Sequence, residues 1–174
     1  PVTDTDPPYD SETEVRTGPV VTVTETAVER VWTVTAKSAA DVAEARKDAV
    51  RDLRTEKING GMTINGFPVR TDPDSLTKIN GAIKLLETEA ALKAADPEYD
   101  AREAIDWEGV PGVWATLDLT QMQGVGLAVG LFIQACFTRS KALIDAIDAA
   151  AAEDGATAAD VLAIDIGADW PSGT

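Results

Sequence analysis

The chain has 174 residues, with 30 acidic against 15 basic side chains, a formal net charge of −15 and a pI of about 4.2. A chain this acidic is repelled by phosphate, so nucleic acids and anionic membranes are not expected partners. It has no histidine and one cysteine, which excludes Ser-His-Asp and Cys-His catalysis, an intramolecular disulfide and the commonest metal ligand. Hydrophobic residues make up 44% but aromatic ones only 5%, so Ala, Val, Leu and Ile must fill the core of one domain or two small ones.

The start, "PVTDTDPPYD", is acidic and proline-rich, the reverse of a secretory leader. The expectation is a protein made in the cytoplasm and not exported by that route, with Pro1 small enough to follow a removed initiator methionine. No window shows the continuous apolar run of about 20 residues that a membrane span needs, so membrane insertion is not expected. Residues 1–18 read as an extended arm, since Pro7, Pro8, Asp10 and Gly18 disfavour regular structure. Such an arm is either mobile or ordered against a partner subunit, with Tyr9 as its contact candidate.

"PVVTVTETAVERVWTVTA", Pro19 to Ala36, holds two runs of Val and Thr around a polar break and predicts an antiparallel hairpin. A lone hairpin is marginal in water, so it must pack on a helix or a second copy, and Trp32 is its natural anchor. Ser38 with Asp41 three residues on then starts a helix that runs to about Ile58. Val42, Ala45, Ala49 and Leu53 make a narrow apolar seam on it. That seam suits either an intrachain partner helix or self-association in a symmetric oligomer. Residues 19–56 thus form an attachment and oligomerisation segment.

Asn59-Gly60-Gly61 stops the helix, because glycine accepts the left-handed conformation. Asn65-Gly66 between "MTI" and "FPV" is the strongest short-range hairpin signal, and Pro68 confines its strand to an edge. Asp72, Pro73 and Asp74 fit the cap and first turn of a helix whose apolar face is Leu76, Ile79, Ile83, Leu86 and Ala90 and which ends near "AADPEYD". "DWEGVPGVWATLDL" is a third irregular or β-rich piece in which Trp107 and Trp114 flank a turn and stack on each other or on the preceding hairpin. The longest helix follows. Thr120 is its expected cap and Gly155 its end, and Val129, Ile133, Cys136, Leu143 and Ile147 form one face. Gly124, Gly126 and Gly130 are read as sites of close helix contact. Cys136 reads as a buried, inert thiol. "TAADVLAID" makes a short last helix, and Trp170 in the tail is a candidate plug into a neighbour.

The fold class is therefore α+β: an N-terminal β-hairpin and helix, then a mainly helical module over residues 57–174, ordered helix–β-hairpin–helix–Trp segment–long helix. The carboxylate groups Asp4, Asp6 and Asp10, or Asp96, Glu98 and Asp100, are the best paired-acid arrangements for glycoside cleavage or calcium binding. With 30 acids in the chain such clusters arise by chance, and solvated charge explains them better. No catalytic, cofactor-binding or metal-binding residue is expected. The candidate interface residues are Tyr9, Trp32, Val42, Ala45, Ala49, Leu53, Trp107, Trp114 and Trp170.

Lys57 to Asp148 resembles a domain of unknown function found in phage tail-fibre and tail-accessory proteins. "INGGMTINGFPVRTDPDSLTKINGA", then "DWEGVPGVWATLDLT", then "FIQACFTRSKALIDAI" carry the resemblance in order, over slightly more than half of the chain. The upstream "YDSETEVRTGPVVTVTETAVERVWTVTAKS" is similar to the N-terminal part of phage tail proteins. Family members often carry a histidine near the position of Phe132 to Gln134; this chain has none, so no role for it carries over.

The resemblance implies a non-enzymatic structural protein of a bacteriophage virion, made in the bacterial host cytoplasm and located in the tail. As a tail-fibre or tail-tip adaptor it would form a homo-oligomer, a trimer by analogy, bind other tail proteins and reach the host cell surface. The alternatives are a tail-fibre assembly chaperone absent from the finished particle, and a capsid decoration or head-fibre protein.

Overall fold

The computed structural model describes residues 2–173; Pro1, with the expectation attached to it, lies outside them, as does Thr174. In chain order the elements are β1 (Val2–Thr5), β2 (Glu14–Val23), β3 (Val28–Ala36), α1 (Ala39–Asn59), β4 (Met62–Ile64), β5 (Phe67–Val69), α2 (Pro73–Ala95), β6 (Ala104–Val110), β7 (Val113–Asp118), α3 (Leu119–Ala152) and α4 (Ala158–Leu162). Helix accounts for 49% and strand for 24%, in local sheets rather than alternating βαβ units, so the class is α+β. Contacts divide the chain into two compact units. One joins the residues up to Val50 with Ala142–Ile166; the other joins Arg51–Lys141 with the residues from Gly167 on.

The first unit holds a three-stranded sheet in the order β1-β3-β2. β2 and β3 pair antiparallel, with Val23 opposite Val28 at the turn and Glu14 opposite Ala36 at the far end. The hairpin is thus longer than the Pro19 start expected from the Val/Thr runs. The arm reading of residues 1–18 needs the same correction. β1 pairs parallel with β3, Val2 opposite Val28, and Glu14 to Gly18 belong to β2. Pairing won over composition because β3 offers an open edge to a β-branched segment. Asp10 builds the connection between β1 and β2: its carboxylate accepts from the Glu12 amide at 2.9 Å and the Thr13 hydroxyl at 3.0 Å. Gly18 sits in the bulge where the β2–β3 register shifts, at φ 120°, and a Cβ there would lie 2.9 Å from the Val31 oxygen.

Ser38 caps α1 as expected, its hydroxyl accepting from the Asp41 amide at 3.1 Å. The buried side of α1 in this unit is Val42, Ala43 and Val50, with Leu143, Ile147, Val161 and Ile166 buried alongside in the same unit. Lys47 reaches Asp148 at 2.8 Å and Glu44 at 2.6 Å, and these two carboxylates push its pKa up. Thr157 caps α4 in a reciprocal capping box with Asp160.

The second unit has its own core: Val69, Ile79, Ala82, Leu86, Met122, Val125 and Val129 are buried together, with Phe67, Trp107 and Leu117 packed against them. Each large aliphatic side chain so buried contributes roughly 1.5–3 kcal/mol. The Asn-Gly turn is as expected, with Asn65 at φ 52° and Gly66 at φ 82° between β4 and β5. Asp72 caps α2 and Pro73 opens it; Ser75 donates to the Asp72 carboxylate through its amide (3.1 Å) and hydroxyl (2.7 Å), which lowers the Asp72 pKa. On α2 the buried face is Ile79, Ala82 and Leu86, whereas Ala90 is exposed.

β6 and β7 form a full hairpin. Trp107 opposes Ala115 and Trp114 opposes Glu108, so the indoles occupy alternating positions and do not stack on each other; Trp107 instead packs against the core that holds Val69 of the preceding hairpin, the other arrangement expected. Gly109 is buried against β5: a Cβ there would meet Phe67 ring carbons at 2.7 Å and run into the Pro68 oxygen. The cap of α3 is Asp118 and not Thr120. The Asp118 carboxylate accepts from the Gln121 amide at 2.8 Å, and the Gln121 side chain accepts from the Asp118 amide at 2.9 Å. Of the three glycines expected at close contacts only Gly126 qualifies, since a Cβ at that position would lie 2.8 Å from Ile83 Cδ1; Gly124 and Gly130 face open space.

Candidate functional site

Several large apolar side chains lie exposed outside the cores. In the three-stranded sheet Val15, Val20, Val21, Val23 and Val31 are exposed, Val23 by 72%. Tyr9 and Trp32, both candidates from the sequence, are brought together here by a residue that sequence reasoning missed. The Arg16 guanidinium lies 4.2 Å from the Trp32 ring centroid and 5.0 Å from that of Tyr9, and it also pairs with Asp6. Arg16 stands in an alternating strand and carries no motif; only the pairing of Arg16 with Val34 places it beside Trp32.

The second unit carries a cavity of about 240 Å³ lined by Arg70, Ser75, Lys78, Trp107, Glu108 and Trp114, among others. Its volume falls below the roughly 300–1,000 Å³ of ordinary small-molecule sites. Trp107 Nε1 is buried without a hydrogen-bond partner, while Trp114 is 62% exposed. Arg70 and Lys78 donate and Glu108 accepts, so the lining suits a small polar group against an indole face. Among the described residues no group of three or more acidic or cysteine side chains is placed to hold a metal ion.

The remaining sequence candidates divide. Val42 is buried in its own unit, Ala49 and Leu53 are half-buried, and Ala45 is exposed. The apolar side of α1 is centred on Val42, Ala43 and Val50, a rotation away from the seam read from the sequence. Trp170 is half-buried, and its segment is tied to its own chain: Arg139 donates to the Ala168 oxygen from Nη2 at 2.9 Å and from Nε at 3.2 Å. Thr63 N donates to the Gly173 oxygen in the same unit. Cys136 is fully buried, and desolvation pushes its thiol pKa up, as an inert core thiol requires.

α3 departs most from what its sequence led us to expect. It is 34 residues long and, by length and composition, apolar enough to cross a membrane, and only 28% of its most apolar window is buried. Leu127 and Leu131 are 65% and 62% exposed, and Phe137 is half-exposed under the Arg54 guanidinium, 4.5 Å from its ring centroid.

Residues 41–166 match the family described as Domain of unknown function (DUF4376). The chain belongs to that family. The match extends beyond the Lys57–Asp148 stretch that carries the sequence resemblance, covering nearly all of α1 and all of α4. No curated protein and no solved structure matches the chain.

Proposed function

We propose that this DUF4376 protein is a non-enzymatic structural component of a bacteriophage virion, a tail-fibre or tail-tip adaptor that self-associates and binds other tail proteins. The observation that supports this best is the valine-rich sheet, which leaves Val20 and Val31 exposed on one face and Val21 and Val23 on the other, surfaces that gain from being covered. In this reading the sheet attaches the subunit to the tail, and the Trp114 cavity faces outward, where it can contact the host surface. The reading rests otherwise on the ordered motifs that resemble phage tail proteins.

The test is incorporation into particles. Phage carrying Val20→Lys and Val23→Lys should yield virions that lack the protein, while the purified variant keeps its helical circular dichroism. Full incorporation of the variant would remove the sheet from the attachment role. Finding the wild-type protein in lysates but not in purified virions would replace the structural role with that of an assembly chaperone.

A further inference from the structure

Leu119 to Thr138 is a run without a single charged residue, in a chain that is 26% charged. The buried half of that run needs no explanation: Met122, Val125, Val129, Phe132 and Cys136 are core. Its outer half does need one. Exposed positions on α1 include Asp41, Glu44, Asp48, Asp52 and Glu56, and on α2 Asp74, Lys78, Lys84 and Lys93 stand among exposed Leu85 and Leu92, so charge interrupts both outer faces. On α3 the corresponding outward positions, among them Gln123, Gly124, Leu127, Leu131, Gln134 and Thr138, carry no charge. Charge returns at Arg139 and Lys141, where the uncharged run ends.

We infer that this outer face of α3 is the surface on which a second copy of the chain docks. The inference deepens the proposed function, since it locates the self-association which that reading requires. Gly124, Leu127, Leu131, Gln134 and Thr138 succeed one another at steps of three and four residues, the spacing of a helix seam that meets another helix. Gly124 faces open space, so a neighbouring backbone can approach it. Charge selects the partner. Two copies, each at −15, repel one another over most of their surface, and a neutral strip is where they can approach without bringing like charges together. Gln134 carries a donor and an acceptor in one amide, so it complements its own copy across a symmetry axis. A bilayer would leave that amide, Gln123, Thr120 and Thr138 in hydrocarbon, where a polar group is costly. Leu131 stands at the centre of the seam and meets its counterpart whether the helices pair in parallel or antiparallel.

The experiment is solution mass by light scattering on the full chain, wild type against Leu127→Glu/Leu131→Glu, with circular dichroism as the folding check. Both leucines are already exposed, so the variant should keep the fold. The expected result is a wild-type multiple of 18.3 kDa that collapses to a single subunit mass in the variant, with the wild-type association strengthened by salt. A Leu131→Cys variant should then form a disulfide-linked pair on oxidation, while Cys136 stays unreacted in the core. A wild type that is monomeric at all salt concentrations overturns the inference. A variant that stays oligomeric also overturns it and moves the interface elsewhere, leaving the structural role intact and still tested separately by incorporation into virions. Flotation of the wild type, but not the variant, with phosphatidylcholine vesicles would give the face to a membrane and overturn it as well.

Discussion

The N-terminal β2–β3 pair has long strands and little burial, whereas the β4–β5 and β6–β7 hairpins have shorter strands and sit against a core. β2 and β3 run for 10 and 9 residues, yet Val20 and Val23 remain exposed. β4 and β5 have 3 residues each, yet Val69 is buried and Phe67 packs on the helices. Hydrogen bonding alone therefore says little about how firmly a strand pair is held. What fixes the small hairpins is side-chain contact with α2 and α3; the large sheet relies on local ties and carries exposed valines on both faces.

Gly109→Ala should sharpen that contrast most. The new methyl collides with the Pro68 backbone and the Phe67 ring, and neither can move without shifting β5. A loss of roughly 3 kcal/mol in urea unfolding is expected, at the upper end of overpacking costs. A loss below about 0.5 kcal/mol, the range of neutral surface changes, would show that β5 and β6 are not held as described.

Asp72→Ala should cost about 1 kcal/mol at neutral pH, the usual effect of losing an N-cap. Ser75 lowers the folded-state pKa of Asp72, so the stabilisation is present above the unfolded-chain value of about 3.9 and is lost as pH falls through the folded value. The gap between wild type and variant should thus narrow below about pH 4. A gap that is constant with pH would remove the carboxylate from the effect.

Arg16→Ala tests the other region. It removes the cation stacked on Trp32 and Tyr9, an interaction worth roughly 0.5–1 kcal/mol at exposed sites. Hydrogen exchange should quicken in β2 and β3 and stay unchanged in β4 to β7; an equal change in both would contradict the local character of the sheet. The smallest effect has the opposite sign. Ser140 is buried with an unpartnered hydroxyl, so Ser140→Ala should raise stability by roughly 0.5 kcal/mol in the same urea assay.

Elements whose instructions are local were legible in the sequence. Asn65-Gly66, Asp72-Pro73 and Ser38 encode a turn and two caps within a few residues, and all are found in place. The β1 strand was hidden because its partner, β3, lies more than twenty residues away and Pro7 and Pro8 signal irregular chain between them. Asp118 is not legible as the α3 cap because it also ends β7, and only its reciprocal bonds with Gln121 identify it. The exposed face of α3 is not legible from periodicity, because a run of apolar residues gives the same periodic signal whether half or all of the helix is covered. The missing charge between Leu119 and Thr138 was the signal that could have revealed it.

The first compact unit is interrupted in the chain, and this bears on how the protein is born. The strands before Val50 leave the ribosome early, but Ala142–Ile166, which complete their unit, follow only after Arg51–Lys141 has been made. At ordinary synthesis rates that delay is on the order of ten seconds. The hairpins of the inserted segment close in about microseconds once emerged. Translation therefore imposes an order: the inserted core can form first, the N-terminal sheet gains the rest of its unit later, and the bond from Thr63 to the Gly173 carbonyl comes last.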